Sequence, residues 1–218
     1  GRLAGTIRWL TVTTFGSHQA VAREAARVNG MHKRVVGTYD TNSGEQRAYK
    51  AADPDLLLWV HIAFMESFLV CHTEYASRPI PGGADAYISQ WSRSVEPLGL
   101  GNVPMSEATL KAEISRCLEA DILRVDGRTR DVVKFIKYPP LPPVAKVIYR
   151  LLFDAAVVSL EPEYRKMLNL QPAPRWIVKP ATRLVLRAIR WFIGPESPIE
   201  DAGRDRLIRI GAWTPTGA

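Results

Sequence analysis

The sequence is short of cysteine. Cys71 and Cys117 are all it has, and neither sits in a C-x-x-C or C-x-x-C-H arrangement. That argues against an iron–sulfur cluster, a zinc ribbon and covalently attached haem, and makes a reducing, cytoplasmic compartment the default. H-E-x-x-H, the E-x-x-H of di-iron bundles, G-x-S-x-G, G-x-G-x-x-G and the phosphate-binding loop are also missing. The zinc-peptidase, di-iron, serine-hydrolase, dinucleotide and nucleotide-triphosphate readings go with them. No run of about 18 uncharged apolar residues occurs, so no membrane-spanning helix is expected. The chain opens on Gly1-Arg2-Leu3 inside a helical pattern, with neither an initiator methionine nor a signal-like start. The expectation is therefore a fragment of a longer protein. Strand signals are few and no internal repeat is found.

What is present is apolar and basic. The chain has 218 residues, 46% of them hydrophobic and 23% charged, so it reads as one globular helical domain over 1–218 with a real core. Lys and Arg number 29 against 22 Asp and Glu, a net charge of +7. Such an excess suits an anionic partner: a membrane surface, a nucleic acid or a carboxylate-bearing cofactor. Basic residues are not interleaved with aromatics as in single-strand binders, and nothing marks a recognition helix, so no nucleic-acid partner is expected.

Several helices can be read in order. Arg2 to Phe15 is helical and stops at Gly16, after which Ser17 caps a second helix running to Val36 and closed by Gly37. Asp40, Asn42, Ser43 and Gly44 form a turn. Asp53-Pro54 starts a long helix to about Ala76, apolar nearly all round and hence central. Its mid-helix acid, Glu66, is expected to find an ion-pair partner. Amphipathic helices follow over 85–98 and 106–120, then a Pro-rich break at 138–143 and a helix over 144–160. From Thr182 to Ile193, Arg183, Arg187 and Arg190 line one face, opposite Leu184, Leu186, Ile189 and Trp191. That helix is either an ordinary surface helix or a peripheral membrane contact. No element is assigned beyond Gly194.

Two histidines stand among apolar residues at helical spacing. His32 has Val21, Ala25, Val28 and Val35 on its side, with Arg23, Glu24, Arg27, Lys33 and Arg34 on the other. His61 has Leu57, Leu58, Phe64, Met65 and Phe68. A neutral imidazole in such surroundings needs a hydrogen bond or a metal. Each is thus either a core histidine bonded to a carbonyl or a ligand of a metal or haem.

Five short motifs in order resemble one family: Arg2-Leu-Ala-Gly-Thr6, Phe15-Gly16, Met31-His32-Lys-Arg-Val-Val-Gly37, Tyr49-Lys-Ala-Ala-Asp53-Pro54 and Leu57-Leu-Trp-Val-His61. Over residues 1 to about 120 they are similar to the oxygenases that include latex-clearing rubber oxygenases and the ER-bound oxygenase of mycophenolic acid biosynthesis. The resemblance implies a mainly α, globin-reminiscent helix bundle holding non-covalent haem b. It puts the proximal iron ligand on His32 and the Arg-x-x-x-Thr motif near the haem on Arg2 and Thr6. Lys33, Arg34 or Arg2 would serve the haem propionates. His61 carries over as a pocket residue and fallback axial ligand. Rubber oxygenases have a lysine just before that threonine, and this chain has Gly5. The implied function is haem-dependent oxygenation of an apolar, unsaturated, terpenoid- or polyisoprenoid-like substrate with dioxygen as partner. The rival reading is a non-catalytic helical module that binds a lipid or a partner protein.

Overall fold

A computed structural model of the protein describes residues 2–41, 43–119, 123–194 and 197–214. Helix α1 (Arg2–Phe15) ends at Gly16, where a Cβ would run into the carbonyl oxygen of Val12. Ser17 then accepts a hydrogen bond from the Ala20 amide (3.2 Å) and starts α2 (His18–His32). The second helix ends four residues before the expected Val36. Val35 and Val36, β-branched and better suited to extended chain, lead instead into a hairpin of β1 (Val36–Asp40) and β2 (Gln46–Lys50). Gly37 is not a helix stop. It faces Tyr49 across the ladder, and a Cβ there would lie 2.7 Å from the tyrosine ring. The expected turn joins the strands through Gly44 (φ +84°), with Thr41 Oγ1 accepting from the Glu45 amide (3.0 Å); Asn42 lies outside the described residues.

Asp53 caps α3 (Pro54–Tyr75) through the Asp55 amide (3.0 Å), with Pro54 at its first position, where no amide is needed. This helix is central, as its apolar circumference predicts. Ile62, Met65 and Leu69 pack with Ile88 of α4 (Gly83–Ser92) and with Leu110, Ile114 and Cys117 of α5 (Glu107–Glu119). Pro97 tightens the end of the expected 85–98 helix into a 3₁₀ segment, Arg93–Leu98. By length and composition α3 is apolar enough to cross a membrane, with mean hydropathy 1.5 over 18 residues, although Asp55, Glu66 and Glu74 keep it from being the uncharged run that the expectation concerned.

Next come α6 (Gly127–Lys137), α7 (Pro143–Ser159), α8 (Pro162–Met167), α9 (Arg175–Ile193) and α10 (Pro198–Arg209). Tyr75, Ala155, Val158 and Val178 form a second core joining α3, α7 and α9, with the Tyr75 hydroxyl donating to the Ala155 carbonyl (2.7 Å). The helix expected at 182–193 starts at Arg175, passing through Pro180. Helix α10, in the stretch where no element is assigned from sequence, returns to α1: Arg206 donates to the Phe15 carbonyl (2.6 Å), and Gly203 lies against the Phe15 ring. Among the described residues the class is mainly α, with ten helices and one two-stranded sheet.

Helix α2 corrects one assignment. Glu24, expected on the solvent side, is 2% exposed. It bridges the first two helices, ion-paired with Arg8 (Nε to Oε2 2.9 Å) and accepting a hydrogen bond from Arg27 (2.6 Å). The Arg27 hydrogen bond, outweighing burial and aided by the charge of both arginines, holds its carboxyl below the usual carboxylate range. Glu24→Ala should lower unfolding free energy by about 2 kcal/mol in urea denaturation, as expected for losing charge-assisted hydrogen bonds in a buried setting. Glu45→Ala, which removes an exposed pair with Arg47, should change it little.

Candidate functional site: two imidazoles without partners

Helix α1 runs antiparallel to α2. Arg8 meets Glu24, and a Cβ at Gly5 would lie 4.0 Å from the Arg27 guanidinium. Continuing that register brings the first turn of α1 beside the last turn of α2, where His32 stands. By the same register Arg2 falls opposite about Gly30, within a turn of His32, while Thr6 falls opposite about Ala26, nearly two turns from it. The Arg2 side chain lies outside the described residues, while Thr6 is half-buried. Gly5 has a local reason: a cationic side chain there would approach Arg27, and like charges repel.

His32 is the last residue of α2 and half-buried. Its Nδ1 is cut off from water with no hydrogen-bond partner, and burial pushes its pKa below the ordinary histidine value. Lys33 and Arg34 follow it on the exposed side. The Lys33 amide caps α2, and Arg34 Nε donates to the Gly30 carbonyl (3.2 Å).

His61, in the middle of α3, is 4% exposed. Its Nε2 is also buried without a partner, and desolvation lowers its pKa to about 4. The ring is therefore neutral at physiological pH. It stacks on Trp91 of α4, centroids 6.4 Å apart and planes at 24°. Trp91 also takes the edge of Phe68 at 5.4 Å and lies 5.9 Å from Tyr87, and Phe68 stacks on Phe64 at 5.8 Å. The indole Nε1 has no partner either. Four aromatic rings and an imidazole thus form one cluster, buried at His61 and open to solvent at Phe68. The i, i+4 spacing of Tyr87 and Trp91 marked one face of α4, but nothing in the sequence said that this face meets His61.

Glu66 corrects another expectation. It makes no ion pair among the described residues, and burial, followed by repulsion from Glu161, raises its pKa. Nearby, the buried Tyr164 hydroxyl has no partner, and burial first, then Glu66, raises its pKa.

The two histidines are not brought together: no hydrogen bond or ring contact joins them among the described residues. Two surface grooves, of about 830 Å³ along α9 and about 440 Å³ between α1 and α10, contain neither of them. No cluster of three His, Cys, Asp or Glu side chains is found among the described residues. What each location offers instead is a single neutral imidazole with a nitrogen unspent.

A family model described as ER-bound oxygenase mpaB/B'/Rubber oxygenase, catalytic domain, matches residues 1–193. The match reaches well past the first 120 residues and takes in α1 through α9. No curated protein and no solved structure matches the chain. The chain belongs to this oxygenase family.

The pKa of His61 sets a pH dependence. Between the ordinary histidine value of 6.5 and about 4, the unfolded chain binds a proton here that the folded chain refuses, so stability falls as pH falls through that window. In cofactor-free protein the loss should reach roughly 3 kcal/mol. Urea midpoints measured across the window should slope accordingly, and His61→Gln should flatten the slope.

Proposed function

Starting from that membership, we propose that the protein is a haem b-dependent oxygenase acting with dioxygen on an apolar, unsaturated substrate such as a terpenoid or polyisoprenoid chain. The observation that carries this reading is the imidazole of His32, half-buried and neutral, with a nitrogen left without a partner at the end of α2. A buried polar atom in that state costs about 1–3 kcal/mol unless something binds it. A haem iron asks for this kind of donor: one neutral imidazole on a rigid helix. The donor set therefore fits the group.

His32 would hold the iron, with Lys33 and Arg34 placed on the exposed side to pair with the propionates. Haem, when bound, supplies an iron centre able to activate dioxygen. Arg2 and Thr6, on the α1 side that faces the C-terminal half of α2, are the proposed hydrogen-bonding groups for dioxygen. His61, Phe64, Phe68 and Trp91 would form an apolar wall that keeps water out, with His61 the alternative ligand. A cytoplasmic site of action, with peripheral membrane contact through 182–193, completes the reading: an apolar substrate is most concentrated in a bilayer.

Protein supplied with haem should show a Soret band, which His32→Ala should abolish and His61→Ala should retain. Dioxygen uptake should then appear with an isoprenoid substrate and not with its saturated counterpart. Protein that stays colourless with excess haem would contradict the proposal, and a band lost only in His61→Ala would move the ligand to α3.

A further inference from the structure

Helix α9 has three sides rather than the two that its sequence suggests. Val178 and Thr182 are buried, Val178 against α7 and α3. Lys179, Arg183, Arg187 and Arg190 form a basic row, spaced by three or four residues along a second side. Along the third run Ile177, Leu184 and Trp191, seven residues apart and 47, 68 and 77% exposed. Ala181 and Ala188 fill the positions between them at helical spacing. Phe192, 79% exposed, packs edge-on against Trp191 with centroids 4.9 Å apart.

An exposed stripe of this size asks for something to cover it, and its neighbours say what. The helix carries five cations and no acid. Glu74 of α3 takes up Arg175 and Lys179, and its carbonyl accepts from Arg183 Nε (3.1 Å). Arg187 makes no ion pair among the described residues. A second copy laid on this stripe would bring two acid-free basic rows together, which like-charge repulsion disfavours. Tryptophan beside an arginine row and an aliphatic strip instead matches what the boundary between lipid headgroups and acyl chains accepts.

We infer that α9 docks flat on an anionic phospholipid surface, its Ile177–Leu184–Trp191 stripe entering the acyl boundary and Arg187 with its row facing the phosphates. This deepens the membrane contact of the proposed function by naming the lipid charge and the side of the helix that enters. It does not depend on haem.

The test is co-sedimentation of the full chain with phosphatidylcholine vesicles, with and without phosphatidylserine. The protein should pellet with the anionic vesicles only, and added salt should release it. Arg187→Gln should weaken binding about fivefold, and Leu184→Ser with Trp191→Ser about tenfold or more. Both sets change exposed positions, so circular dichroism should be unaltered. Equal binding to neutral vesicles, no binding at all, or full binding by the variants would overturn the inference. So would a vesicle-free dimer that the same substitutions split, since a second copy would then be the occupant. A Soret band recorded on the same samples reports the haem reading separately.

Discussion

The constraint on which the rest depends is the burial of α3. Twenty-two residues, apolar on most sides, must bury much of that surface, although Leu56, Val60 and Phe68 stay 37, 52 and 40% exposed. Four helices do this: α4 and α5 on one side through Ile62, Met65 and Leu69, α7 and α9 on another through Tyr75. His61 then inherits a dry environment and Glu66 a partly buried one. His61 is forced neutral, and Glu66 is driven toward its protonated form. The structure leaves both without a hydrogen-bond partner among the described residues. Folding for stability alone would have put leucine at such places, since an unsatisfied buried polar atom works against the fold. Retained groups of this kind mark a function more often than a packing need.

A second consequence is mechanical. Helices α1 and α2 lie apart from the α3 core and hold each other through one buried carboxylate, Glu24, clamped by Arg8 and Arg27. The clamp fixes the antiparallel register of the two helices, in which Arg2 falls opposite about Gly30, near the end of α2 that carries His32. Helix α10 supports the far end of α1 through Arg206 and the Phe15 carbonyl. Gly5 lies on the same interface, where a Cβ would stand 4.0 Å from the Arg27 guanidinium.

Local chemistry made much of this readable in the sequence. Ser17, Asp53-Pro54 and Gly16 act through the backbone within one turn, so the boundaries they set were where the sequence put them. The central role of α3 followed from composition alone. What the sequence did not reveal depended on partners far along the chain. Gly37 looked like a helix stop until Tyr49 came opposite it. Glu24 looked solvated because Arg23 and Arg27 flank it in the sequence, whereas its burial rests on Arg27 together with Arg8 from another helix. Trp91 could not be assigned to His61, thirty residues away, by any periodicity within one helix. The tail beyond Gly194 reads as Pro/Gly-rich, yet Ser197 and Pro198 cap and open α10. Of the site itself, the histidines were legible as apolar-face imidazoles, and the choice between core filler and ligand was not. Family membership gives the reaction class, and the two unspent ring nitrogens are what the proposed haem reading builds on.

The most direct measurement is a long-range ¹H–¹⁵N correlation of the histidine side chains in haem-free protein, followed from neutral pH down to about 4. A ring buried by α3 and α4 gives His61 signals of a neutral imidazole that do not move until the pH approaches about 4. Shifts that titrate at the ordinary value near 6.5 would mean the ring is solvated, and the dry aromatic site built on it would not exist.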